Sequence, residues 1–115
     1  MSTITTERAL AKATDIIGDI KIVDQCLADG VDVNSALTLL NRSYVRLAES
    51  GVPPGLDRSE YVLRVRRLQT LTLQAAEGYD HDPTQAIASY SAVRSETRAL
   101  FEQLNVALGS NLSLP

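Results

Sequence analysis

Apolar residues recur at intervals of three and four along almost the whole chain, the signature of helices that each bury one face. From Thr6 to Asp29 the stripe is Ala9, Ala13, Ile16, Ile20, Val23 and Leu27, widened by Leu10 and Ile17. Thr5 or Thr6 stands where an N-cap belongs, and Gly30 where a helix leaves through a positive φ. Gly18 costs a helix interior about 1 kcal/mol relative to alanine, which predicts either a bend in the helix or, the favoured reading, a neighbouring backbone packed closely against it. A second helix is predicted over Ser35 to Ser50 from Leu37, Leu40, Tyr44 and Leu47, with Asp32 or Asn34 as its cap. Gly51 ends it, and Val52-Pro53-Pro54-Gly55 forms a rigid corner, because two successive prolines fix φ and supply no N–H donors.

The third stretch, Leu56 to Gly78, carries its own boundaries. Asp57 and Glu60 have the spacing of a capping box, Leu56 and Tyr61 that of a hydrophobic staple, and Gly78 follows the last turn. Tyr61, Val65, Leu68, Thr72 and Ala75 or Ala76 face the core. The segment Leu68 to Leu73 alternates like a strand, but strands typically run only five or six residues, and no turn residue interrupts the longer stretch. The fourth start signal is the clearest: Asp82 as cap, Pro83 at the first helical position and Gln85 at the capping-box position. Ala86, Tyr90, Val93, Thr97, Leu100, Leu104 and Ala107 then keep the rhythm as far as Gly109.

Four amphipathic helices on short linkers predict an all-α, antiparallel up-down-up-down four-helix bundle over residues 1–109. At 1.5 Å per residue the first and fourth helices are about 35 and 39 Å long and the second about 24 Å, so something must cover the overhanging ends. Residues 110–115 form a short extended tail. Leu112 and Leu114, two residues apart, are expected to dock on an adjacent copy.

Composition narrows the class. The 115 residues suffice for one core; 44% are hydrophobic, yet only 4% are aromatic and none is tryptophan, so the core must be mostly aliphatic. Cys26 is the single cysteine and cannot form an internal disulfide. No apolar run has the length of a signal peptide or membrane span, so the expected setting is the cytoplasm, or a particle assembled there, with no membrane contact. In that setting the sequons at Asn41 and Asn111 are coincidental.

Charge, counted by thirds, says more than the net value of −3. The first and last thirds are acidic. Residues 36–76 carry six arginines, no lysine and three acids, making a basic hairpin between acidic helices. One reading pairs these arginines with the chain's own carboxylates, among them Asp15, Asp19, Asp24, Glu96 and Glu102. The other makes Arg58, Arg64, Arg66 and Arg67 a contact for carboxylate or phosphate, which guanidinium groups bind in a bidentate manner. The acidic pI near 5.0 and the scarcity of aromatics disfavour nucleic acid, leaving a protein partner or a second copy.

No residue set has the pattern of a catalytic or cofactor site. His81, flanked by Asp80 and Asp82, is the only histidine and stands just before a helix cap. Asp15 and Asp19 share a helix face and would need donors from another helix to chelate a cation. Cys26 lies beside a core stripe with no base within local reach. Tyr44, Tyr61, Tyr79 and Tyr90 read as core residues whose hydroxyls reach the surface. The expectation is a non-enzymatic adaptor or structural subunit, without cofactor or metal, acting in a homo-oligomer or a larger assembly such as a virion. Arg58, Arg64, Arg66, Arg67, Leu112 and Leu114 are its expected partner-binding residues. A nucleic-acid-associated regulator using the arginines and a metal- or small-molecule-binding bundle are the alternatives.

Overall fold

Three of the four expected caps close the helix starts they mark. In the computed structural model, which describes residues 5–115, the Thr5 hydroxyl accepts the Arg8 N–H at 3.2 Å. Asp57 accepts from Glu60 N–H at 2.9 Å and Asp82 from Gln85 N–H at 3.1 Å. The helices are α1 (Thr6–Asp29), α2 (Val33–Glu49), α3 (Arg58–Gly78) and α4 (Pro83–Leu108). Gly30 and Gly109 close α1 and α4 in the left-handed region, at φ 68° and 65°.

Several details depart from the sequence expectation. Helix α2 starts two residues early, because Asp32 takes a positive φ of 55° at the cap position without making a side-chain capping bond. Asn34, the other cap candidate, instead sends its amide across to the Ala76 carbonyl of α3 at 2.8 Å. The capping box at α3 is half made, since Glu60 accepts from Gln103 of α4. Gly78 remains inside the last turn, and its carbonyl accepts from the N–H groups of both His81 and Asp82. Gly18 is exposed with open space where a Cβ would stand, so no backbone packs against it.

The result is an all-α four-helix bundle of 40 × 23 × 18 Å in which each helix packs on the next in sequence. Asn34 meets Ala76 and Asn41 meets Gln69, so α2 and α3 run in opposite directions. Arg64 meets Glu96 and Glu60 meets Gln103, and the same holds for α3 and α4. Ile16, Ile20, Val23, Leu37, Leu40, Leu47, Val65, Leu68, Val93, Leu100, Phe101 and Leu104 fill the core. Short α2 is extended by the proline corner: Val52 and Pro53 are buried, and Gly55 comes against Ala107 near the end of α4.

Two of the tyrosines depart from the expected surface hydroxyls, and a third keeps its hydroxyl at the edge of the core. Tyr44 is fully buried and its hydroxyl lies 2.5 Å from Thr97 Oγ1, tying α2 to α4. Tyr61 Oη is buried and has no partner among the described residues. Tyr90 donates to Asp24 of α1 at 2.7 Å, with the Ile20 carbonyl at 3.4 Å. Burial pushes all three phenols well above their ordinary range, and at Tyr90 the Asp24 carboxylate adds to the effect. No helix is long and apolar enough to cross a membrane, among the described residues.

Candidate arginine contact face

Helical geometry divides the α3 arginines. At 100° per residue, Tyr61, Val65, Leu68 and Thr72 point inward, which turns Leu63, Arg66, Arg67 and Thr70 outward and leaves Arg64 on the flank facing α4. The observed burial follows that division. Leu63 is 72% exposed and Arg66 and Arg67 are exposed beside it, whereas Arg64 is half-buried.

Arg64 is a clamp between helices. Its Nη1 donates to Glu96 of α4 at 3.2 Å, while its Nε is buried without a partner among the described residues. Arg67 reaches the same carboxylate only at 3.8 Å, with 68% of its side chain in solvent, a pair worth a fraction of a kcal/mol. Arg58, also exposed, lines a shallow depression of about 360 Å³ with Ser59, Val62, Leu63 and Arg66. Val62 and Arg66 also line a second depression of about 250 Å³, on the seam with Val45, Ala48 and Glu49 of α2. The expected set therefore splits: Arg58, Arg66 and Arg67 share an outer surface around Leu63, and Arg64 belongs to the packing of α3 on α4.

The tail residues are engaged by their own chain. Asn105 of α4 accepts the Leu112 N–H on Oδ1 at 2.7 Å and donates from Nδ2 to the Leu112 carbonyl at 2.9 Å. Leu112 and Leu114 are half-buried against the core. Arg94, outside the apolar stripe of α4, holds the tail's last residue: it pairs with Asp24 of α1 through Nη1 and donates from Nη2 to the Pro115 carbonyl at 3.0 Å. Its spacing of four from Tyr90, which also bonds Asp24, was the available signal.

Chemistry elsewhere is sparse. Asp19 faces α2, where the Ser43 hydroxyl donates to it, and Asp15 is exposed. His81 is exposed, and Cys26 is half-buried against the core. Among the described residues no three His, Cys, Asp or Glu side chains converge to hold a metal. A further open groove of about 490 Å³ lies between α3 and α4, bordered by Leu56, Arg64, Glu102 and Val106. Compared with protein-family models, curated proteins and solved structures, the chain matches none of them.

Proposed function

We propose that this protein is a non-enzymatic adaptor or structural subunit whose outer α3 face binds an acidic, partly apolar protein surface. The observation that carries the reading is Leu63, 72% exposed and flanked by Arg66 and Arg67. An isolated exposed leucine needs no explanation; what distinguishes this one is the guanidinium groups beside it, since arginine is enriched at contact centres from which other charged residues are depleted. Arginine suits that role because its planar fork takes a carboxylate in a bidentate manner and sheds water more readily than lysine. The depressions beside this face are open and shallow, a form suited to a protein surface more than to an enclosed small substrate.

A titration of a labelled helical Glu/Leu peptide, followed by fluorescence anisotropy, tests the reading. Binding to the native chain should weaken at least about tenfold in Leu63→Ala/Arg66→Gln and stay nearly unchanged in Arg64→Gln, whose side chain serves α4. Equal weakening in both variants, or no binding at all, would overturn it. A parallel titration with duplex DNA at low salt covers the regulator alternative, since phosphate binding would show a steep fall with added salt.

A further inference from the structure

The fold gathers carboxylates that are distant in sequence. Residues 22–41 and 68–93 contain Asp24, Asp29, Asp32, Glu77, Asp80 and Asp82 and not one lysine or arginine. These two stretches form a single end of the bundle. The turn that joins α1 to α2 lies beside the turn that joins α3 to α4, because Asn34 donates both to the Ala76 carbonyl and, at 3.4 Å, to Asp80. Arg94 pairs with Asp24, Gln25 donates to Asp29 and the Gln85 N–H to Asp82; Asp29, Asp32, Glu77, Asp80 and Asp82 are all exposed, with no arginine or lysine paired to them among the described residues.

Asp82 caps α4 and Asp32 stands at the start of α2, where a carboxylate is favourable, but the acids at the ends of α1 and α3 do not serve the isolated fold. Helix α1 ends with Asp29 and α3 with Glu77 in its last turn, and neither has a base there, although the carbonyl end of a helix favours cations. Asp32 holds a positive φ at the start of α2, where its side chain makes no capping bond. Val31, 56% exposed, stands among these carboxylates as Leu63 stands among the arginines. Residues 42–67, toward the opposite end, hold six arginines against three acids; of those acids Asp57 caps α3 and Glu60 is bound to Gln103.

We infer that the occupant of the α3 arginine face is the acidic pole of a second copy of this chain, giving head-to-tail association. The inference rests on the contact-face reading above and adds the identity of the partner. Opposite charge and an exposed apolar residue are present on both surfaces of one molecule. A contact between two different surfaces is heterologous, so the end copies keep one open surface of each kind and the association continues into a ring or filament.

Sedimentation velocity of the full chain across a concentration range supplies the test. At about 10 mM salt, where the Debye length is about 30 Å, the mass should rise with concentration; near 1 M salt it should return toward the monomer. Asp29→Asn/Asp32→Asn/Glu77→Gln and Arg66→Gln/Arg67→Gln should each be monomeric alone. These side chains are exposed, so unchanged helical circular dichroism should accompany the loss. Mixed in equal amounts, the two variants should form a dimer and nothing larger, because one intact acidic pole and one intact arginine face remain between them. A native chain that stays monomeric at low salt, or a mixture that stays monomeric, overturns head-to-tail association. If the Glu/Leu peptide still binds in that case, the contact-face reading stands and its partner is another protein; if the peptide fails as well, both fall.

Discussion

The Thr97 hydroxyl carries a single proton, which goes to the Val93 carbonyl at 2.7 Å, so Tyr44 must be the donor across the 2.5 Å to Thr97 Oγ1. That direction makes the pair asymmetric. Tyr44→Phe removes a donor and leaves Thr97 bonded to Val93, for a loss of about 1 kcal/mol. Thr97→Val strands a buried phenol and should cost more, about 1–3 kcal/mol. Urea midpoints of the two variants check the order, and a reversed order would mean that Thr97 is the donor. Tyr61 presents the opposite case: its buried hydroxyl has no partner among the described residues, so Tyr61→Phe should leave stability unchanged or raise it by up to about 1 kcal/mol. The stripes placed these tyrosines against the core but could not show the fate of their hydroxyls. A 3.6-residue period reports which face a side chain is on, whereas a partner on a non-adjacent helix depends on the register of the whole bundle.

Helix boundaries were legible where a side chain does the capping and obscure where the backbone or a distant residue intervenes. Asp57 and Asp82 cap locally, and α3 and α4 begin beside them. At α2 the candidate cap Asn34 is drawn to Ala76, an attraction that local spacing cannot reveal. Gly18 gave a false signal for the same reason: a mid-helix glycine suggests close packing, but this one faces solvent, with nothing within 4 Å of the place a Cβ would occupy. It therefore weakens α1 without structural return, and Gly18→Ala should raise stability by about 0.5–1 kcal/mol in urea unfolding. The tail presents an element-scale case of its own. Asn105 brackets Leu112 with two hydrogen bonds, which a spacing of seven across a helix end does not advertise. Asn105→Ala should release residues 110–115, seen as faster carboxypeptidase digestion at unchanged helical content. Equal digestion rates would show that Arg94 and the leucines hold the tail unaided.

The basic hairpin is contiguous in sequence and legible there, whereas the acidic pole is not, because residues 22–41 and 68–93 become neighbours only when the two turns meet at Asn34. Arg64, Arg66 and Arg67 are close in sequence, but the fold separates Arg64, serving α4, from Arg66 and Arg67. A property of the whole molecule follows from the three buried phenols. Tyr44, Tyr61 and Tyr90 link α2, α3 and α4 to the core, and burial raises the pKa of each above its value in the unfolded chain. Below pH about 10 both states keep these protons, so stability does not depend on them. Above it the unfolded chain loses protons that the folded chain retains, and stability falls by up to about 1.4 kcal/mol per pH unit for each tyrosine, about 4 for the three. Against a typical domain stability of about 5–15 kcal/mol, that slope predicts cooperative unfolding within a few pH units above 10. In a Tyr79→Phe background, which leaves only these three phenols, the same alkaline titration should show phenolate absorbance rising together with the loss of helical circular dichroism. Tyr61→Phe should lower the slope by about a third, since one of three coupled groups is gone. Ionisation of these phenols while the helical signal persists would mean that solvent reaches them in the folded bundle.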